Sequence, residues 1–237
     1  MWDILKKIWS IKYLRDSLLF VILMLIIFRL VAHIPVPGVD VEALRRFFAS
    51  NQILGLLNIF SGGTMENFSV VMLGIGPYIT ASIIFQLLTM IIPRLEEISK
   101  DGEAGQRRIN QYTRLLAVPL AFVQSYGTIT LLQRSAQDIF TDLSLARLLT
   151  TMFTITAGTI FLMWIGELIS EKQIGNGISL LIFAGIVSGL PTNLYQAYIN
   201  YDSSQLITLL GLLALALVTV AGVVFITEGQ RNAFLKH

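Results

Sequence analysis

Two things are scarce in this 237-residue sequence: cysteine, of which there is none, and charge, which only 14% of the residues carry. Without cysteine the chain has no disulfide framework, no thiolate metal site and no cysteine nucleophile. Soluble domains carry charge on about 25% of their residues, so the deficit argues against an ordinary cytosolic enzyme and against a disordered chain. The formal net charge of +2 is too small to indicate binding to nucleic acid.

Catalytic and cofactor motifs are also missing. The two histidines, His33 and His237, are too few and too far apart in sequence to form a histidine ligand cluster for a metal. The sequence contains no G-x-S-x-G nucleophile elbow and no phosphate-binding Walker loop. We therefore predict a protein that is not an enzyme and uses no cofactor or metal, so that any energy source must come from a partner.

Six apolar runs are long enough to be membrane spans. A bilayer core about 30 Å thick needs roughly 20 apolar residues in a helix, with about 17 to 25 tolerated. Only a helix or a closed barrel satisfies its backbone in lipid, and no alternating strand pattern is visible. The prediction is an all-α, polytopic membrane domain of six transmembrane helices. Their approximate bounds are 18–34, 68–92, 115–132, 148–169, 178–194 and 206–226.

The basic residues divide unevenly between the two sides of such a bundle. Cytoplasmic segments are enriched in Lys and Arg. Twelve of the 17 basic residues lie in the two tails and in the loops after the second and fourth runs: Lys6, Lys7, Lys12, Arg15, Arg94, Lys100, Arg107, Arg108, Arg114, Lys172, Arg231 and Lys236. The other loops hold Arg45, Arg46, Arg134 and Arg147. This bias predicts that both termini are cytoplasmic, in agreement with an even number of spans.

A short apolar segment, ILGLLNIF at residues 53–60, lies in the loop after the first run and is far too short to cross a bilayer. It is followed by a glycine pair, Gly62 and Gly63, which indicates a flexible hinge. From the residues alone, the segment is either a buried, re-entrant helix or a packed surface loop.

The second run is interrupted at Gly74–Pro77, where the proline predicts a kink. Around and beyond it, Ile75, Ile79, Ala81 and Ser82 recur at helical spacings and form a narrow face of branched and small residues. On composition alone, such a face is more typical of a helix contact than of a pore lining.

Two charged residues lie inside the predicted spans, Arg29 and Glu167. Each is close to an end of its run, so we predict that both snorkel to the interface and are not functional charges in the bilayer. The stretch KQIGNGIS before the fifth run lacks the complete dinucleotide fingerprint and predicts a turn capped by Asn176 or Ser179.

Several stretches together resemble the SecY family, the channel subunits of the protein-conducting translocon. The bacterial form of the family is the most similar, judging from the GEAGQRRINQYTR loop. In chain order the matching stretches are HIPVPGVD (33–40), NIFSGGTMENFSV (58–70), LGIGPYITASIIFQLL (73–88), KDGEAGQRRINQYTR (100–114), IGNGISLLIFAGIVSGLP (174–191) and EGQR (228–231).

The resemblance implies a channel that passes unfolded secretory proteins across the membrane and releases membrane-protein helices into the bilayer. Residues 53–60 would be a plug, carried by Ile53, Leu54, Leu56, Leu57, Ile59 and Phe60, with Gly62 and Gly63 as its hinge. The resemblance places a pore ring at Ile75, Ile79 and Ile182. Branched apolar side chains suit that role, since they make a deformable collar that opposes ion leakage. A lateral gate would include Thr80, Gln86 and Gln124.

The resemblance also implies partners and a location: small membrane subunits of the SecE and SecG type, a SecA-type motor ATPase or a ribosome on the cytoplasmic side, signal peptides and nascent chains. The location would be the bacterial plasma (inner) membrane. The family has ten spans in two inverted halves, whereas this sequence covers the first half and one further helix. A truncated protein and one piece of a split channel both stay open.

A second class of protein also uses broken helices and inverted repeats, namely small-molecule secondary transporters. Half of such a transporter is the alternative interpretation of the chain. It would need an ionisable or polar site at mid-membrane, and the apolar runs offer almost none.

Overall fold

The described part of the chain is built from α-helices. The structure, a computed structural model, describes residues 11–51, 55, 58, 61–135, 139–140, 144–199 and 206–233. Within these ranges there are two isolated antiparallel bridges and no longer strand, so the predicted all-α fold is confirmed. The helices are α1 Lys12–Val31, α2 Val41–Ser50, α3 Gly76–Ile91, α4 Pro93–Lys100, α5 Gly102–Ser135, α6 Leu145–Glu171, α7 Gly177–Ile199 and α8 Leu206–Ala233.

Two of the described helices are long and apolar enough to cross a membrane, over Gly102–Arg134 and Leu145–Glu171. A third candidate is the pair α3 and α4, which is bent by 105° at its break. Helix α1 is not among them, since Lys12, Arg15, Asp16 and Arg29 all lie within its 20 residues. The count of six spans therefore stays a prediction.

The second predicted span, 68–92, does not form a continuous helix. Residues 61–75 are turns with one isolated bridge at Ser69, and helix begins only at Gly76. The 16 residues of α3 are ~24 Å long, which is less than the ~30 Å of a bilayer core. The apolar residues before it, such as Phe68 and Val71, are fully buried against other elements. Their hydropathy reflects burial in protein, and the sequence pattern could not distinguish that from a span.

The backbone of this buried turn segment is hydrogen-bonded to the residues that follow α1. The Val36 N–H donates to the Phe68 carbonyl at 2.9 Å, and the Val70 N–H donates to the Ile34 carbonyl at 3.0 Å. The Ser69 hydroxyl donates to the Val31 carbonyl at 3.0 Å. Non-helical backbone is tolerated at membrane depth only where protein supplies such partners.

Helix α6 packs against the same segment through a glycine. A Cβ added at Gly158 would lie 2.0 Å from the Val70 carbonyl oxygen, closer than any real contact. Neighbouring α6 residues, among them Leu162 and Ile165, form an apolar core with Val71 and Ile75. The core therefore places Ile75, at the start of α3, beside α6.

A tight turn joins α6 to α7. The Asn176 Oδ1 accepts hydrogen bonds from the Ile178 and Ser179 N–H groups at 3.0 and 3.1 Å, so of the two predicted caps Asn176 is the right one. The Ser170 hydroxyl accepts from the Gly177 N–H at 2.9 Å. A Cβ on Gly177 would lie 1.9 Å from the Gly166 carbonyl oxygen, so only glycine fits there.

The chain divides into two compact units, residues 1–190 and 191–237. All the contacts described above lie within the first unit. In the second, the described residues include α8. Its residues 214–227 are exposed and apolar apart from Thr219 and Thr227, and a Cβ added at Gly222 would meet nothing within 4 Å.

We predict that Gly158→Ala lowers the stability of the protein. Alanine normally favours a helix over glycine by about 1 kcal/mol, but here its methyl group would displace the Val70 carbonyl and cost about 1–3 kcal/mol. The measurement is the thermal unfolding midpoint of the purified, detergent-solubilised protein. Gly127→Ala in α5 is the matched control, because a Cβ there meets nothing within 4 Å. An unchanged or higher midpoint for Gly158→Ala would contradict the close packing.

Candidate functional site

A polar cleft of about 850 Å³ lies between α3, α5, α6 and α7. Most of its polar lining comes from the first turns of α5, the last turns of α6 and the start of α7. The lining residues are Tyr78, Ile79, Ser82, Ile83, Glu103, Gln106, Asn110, Arg114, Glu167, Ser170, Glu171, Asn176, Ile178, Ser179 and Ile182.

The lining contains three glutamates and one arginine. Arg114 of α5 forms an ion pair with Glu167 of α6 through its Nε. The Glu167 side chain is 19% exposed and that of Arg114 46% exposed, so the pair is partly shielded from water. It ties the two helices together at the wall of the cleft.

Arg29 and Glu167, the two charges predicted to snorkel to the interface, both bond to protein groups, and their position relative to the interface stays a prediction. Glu167 is held by Arg114, and the Arg29 Nη1 donates to the Gly62 carbonyl at 2.8 Å. Each charge has a partner on another element of the protein. A window of hydropathy along the chain cannot detect a partner that is distant in sequence.

The three residues predicted as a pore ring lie around two neighbouring cavities. Ile79 and Ile182 line the polar cleft. Ile182 also lines a small cavity of about 40 Å³ together with Ile75. Ile75 is buried and precedes the first turn of α3, whereas Ile79 is exposed to the cleft. Ile182 thus separates the polar cleft from the small, mostly apolar cavity.

The predicted hinge glycines directly follow Ser61, which lines that small cavity. Gly62 and Gly63 have φ angles of 70° and 79°, in the left-handed region that favours glycine. A Cβ on Gly62 would lie 2.8 Å from the Gly185 Cα on α7. Close packing as well as backbone conformation therefore requires glycine at position 62. The six predicted plug residues, Ile53, Leu54, Leu56, Leu57, Ile59 and Phe60, lie outside the described residues.

The predicted lateral-gate residues lie at separate positions along α3 and α5. The Thr80 hydroxyl donates to the Gly76 carbonyl of its own helix at 3.0 Å. Gln86 lines a second polar cleft of about 280 Å³ between α3 and α5, while Gln124 lies farther along α5. Among the hydrogen bonds of the residues that the structure describes, none joins two of these three side chains.

The polar lining of the large cleft was not anticipated from the sequence. Its clearest signal is a stripe along α5 formed by Glu103, Gln106, Asn110 and Arg114, whose spacings of three and four residues place them on one helix face. The stripe lies mostly before the apolar run 115–132 that predicted the helix, in the segment that the sequence assigns to the loop after the second run.

In the part of the chain that the structure describes, no group of three histidine, aspartate or glutamate side chains is placed to hold a metal ion. What the geometry offers is a polar space, open to water, whose lining also includes the branched apolar side chains of four isoleucines.

A family model of SecY matches residues 69–237. The chain belongs to the SecY family. It is 44% identical to the protein translocase subunit SecY of Pseudomonas aeruginosa over 96% of this chain and 51% of that protein. It is 40% identical to the subunit of the same name from Bacillus licheniformis over 100% of this chain and 57% of that protein.

A third relative is the protein translocase subunit SecY of Buchnera aphidicola, which is 44% identical over 94% of this chain and 65% of that protein. This SecY-family chain thus spans between about half and two thirds of the length of these relatives. The transporter alternative finds no support in these comparisons, whereas the resemblance seen in the sequence is confirmed.

We predict that the Arg114–Glu167 pair couples α5 and α6. Arg114→Met leaves a partly buried carboxylate unpaired and should cost about 1–3 kcal/mol of stability. Glu167→Gln leaves the more exposed arginine unpaired and should cost less. In the double variant much of the loss should be recovered. The measurement is a double-mutant cycle on the unfolding midpoint of the purified protein.

The matched control for that cycle is the exposed pair Arg107–Glu103, whose side chains are 76% and 86% exposed at an Nη2–Oε1 distance of 3.2 Å. An exposed helix pair contributes only about 0.3–0.5 kcal/mol. Equal coupling energies for the two pairs would show that the partial burial of Glu167 has no energetic effect.

Proposed function

We propose that this chain supplies the N-terminal half of a protein-conducting channel. It passes unfolded secretory proteins across a membrane and releases apolar helices sideways into the bilayer. The observation that carries the proposal is the position of Ile182, which lines both the polar cleft and the small cavity that contains Ile75. Family membership and the names of the relatives support the same activity.

The pore ring consists of Ile75, Ile79 and Ile182. The first two come from the start of α3 and the third from α7. An apolar constriction excludes water and ions until a chain pushes the side chains apart, and the branched isoleucine side chain suits such a collar. Residues supplied by the rest of the channel complete the ring.

The polar cleft is the entrance on the cytoplasmic side. Its lining offers carboxylates, amides and hydroxyls, which solvate the backbone of an extended chain without holding it tightly. The positive-inside bias of the loops supports this orientation, with both termini in the cytoplasm. The membrane is the bacterial plasma membrane.

The channel is passive, and the driving force comes from a motor ATPase of the SecA type or from a ribosome. Small membrane subunits of the SecE and SecG type complete the assembly. The residues 53–60 act as the plug, with Gly62 and Gly63 at its base. Thr80, Gln86 and Gln124 belong to the lateral gate through which signal peptides leave.

We predict that a translocating chain crosslinks to the ring residues. Single-cysteine variants Ile79→Cys and Ile182→Cys would be made in the complete subunit, with cysteine removed elsewhere; this chain itself has none. A secretory chain stalled in transit and carrying one cysteine should form disulfide-linked products with both variants. The measurement is the yield of the crosslinked band in membrane vesicles.

Phe183→Cys and Leu87→Cys are the matched controls, because their side chains are exposed on α7 and α3 and neither lines the cleft. Phe183 follows Ile182 directly, so the comparison tests which face of α7 meets the chain. Strong crosslinking at Phe183 and Leu87 with none at Ile79 and Ile182 would place the path elsewhere.

A further inference from the structure

The glycine turn, residues 61–67, is closed by hydrogen bonds to Asn58. The Gly63 N–H donates to the Asn58 carbonyl at 2.9 Å. The Asn58 side chain donates to Glu66 Oε2 at 2.7 Å and accepts from the Glu66 N–H at 3.1 Å. The turn is therefore a small, internally bonded unit.

Side chains bind the carbonyl oxygens of both glycines in this turn. The Arg29 Nη1 donates to the Gly62 carbonyl at 2.8 Å, in a partly buried position. The Asn67 Nδ2 donates to the Gly63 carbonyl at 3.0 Å, and its own Oδ1 accepts from Arg45 Nη2 at 2.6 Å. Arg29 thus links α1 directly to the turn, while the Arg45 link from α2 passes through Asn67.

The turn is seated on α7 at the point that Arg29 holds. A Cβ on Gly62 would lie 2.8 Å from the Gly185 Cα, so the two backbones are in direct contact. Ser61 and Gly185 line the same small cavity as Ile75 and Ile182, and so does Phe28, the neighbour of Arg29. The Arg29 hydrogen bond is therefore made at the edge of the cavity beside the proposed ring.

We propose that Arg29 is a positioning residue that clamps the glycine turn onto α7. The turn leaves Gly185 only when the hydrogen bond between the Arg29 Nη1 and the Gly62 carbonyl breaks. Arg29 lies inside an otherwise apolar stretch of α1, where a charged side chain is costly unless it has a partner. A carbonyl oxygen is a good partner, because hydrogen bonds from an ionised donor are stronger than neutral ones.

The consequence for the channel rests on the proposed function. In a channel of that kind, the clamp holds the base of the plug against α7, the helix that carries Ile182. Loss of the clamp then loosens the resting seal. The clamp itself is a local property of α1, the glycine turn and α7, and its test needs no translocation.

The experiment measures how often the turn opens, using a buried reporter in it. Thr64 is 1% exposed, and Thr64→Cys would be made in the complete subunit without other cysteines. The rate of labelling by a water-soluble maleimide is compared with and without Arg29→Met in the detergent-solubilised assembly. We expect Arg29→Met to raise the labelling rate about tenfold or more. Loss of a hydrogen bond to a charged group commonly changes an opening equilibrium by such a factor.

Two controls separate a clamp from a general loss of structure. Thr113→Cys on α5 is a second buried reporter, 3% exposed and remote from the turn in sequence. Its labelling should not change with Arg29→Met. Arg46→Met removes the same charge from an exposed position on α2 and should leave both reporters unchanged.

An unchanged Thr64→Cys rate in the Arg29→Met variant would overturn the clamp. So would an equal rise at both reporters, since that result indicates general unfolding. Failure of the channel proposal would appear in the crosslinking pattern at Ile79 and Ile182, which does not depend on these labelling rates.

Discussion

The buried, non-helical backbone between Ser61 and Ile75 is the constraint on which the rest of the first unit depends. An unpaired N–H or C=O in apolar surroundings costs several kcal/mol, so this segment persists only where other elements supply partners. The residues after α1 supply them at Ile34 and Val36, and α6 makes room for the Val70 carbonyl at Gly158. Changing any one of these elements would disturb the others.

The arrangement of the proposed ring follows from that segment. Because helix begins only at Gly76, Ile75 is held in the core by the turn, whereas Ile79 lies one turn into α3 and faces the cleft. Ile182 reaches the same region from α7. The start of α7 is fixed against α6 by the close packing at Gly177 and by the Asn176 cap. Ile75 and Ile79, which are close in sequence, and Ile182, which is distant from both, therefore line two adjoining cavities.

Much of the helical framework could be predicted from apolar runs, because α5, α6, α7 and α8 each contain the run that predicted them. The prediction failed at residues 68–75, because burial in protein and burial in lipid select the same side chains. The polar stripe from Glu103 to Arg114 was missed because it lies mostly ahead of the apolar part of α5. The ring residues came from family resemblance; composition alone favoured a helix contact for that face.

The two charges inside predicted spans show why the low charge content of the chain matters. A hydropathy argument treats a charge near the end of a span as tolerated because it can reach the interface. Arg29 and Glu167 also bond to groups on other elements, the Gly62 carbonyl and the Arg114 guanidinium. Each bond offsets the cost of placing a charge among apolar helices, and it forms only when the two elements that it joins are in the right relative position. In a sequence with few charges, those within apolar runs therefore report where helices and turns must meet.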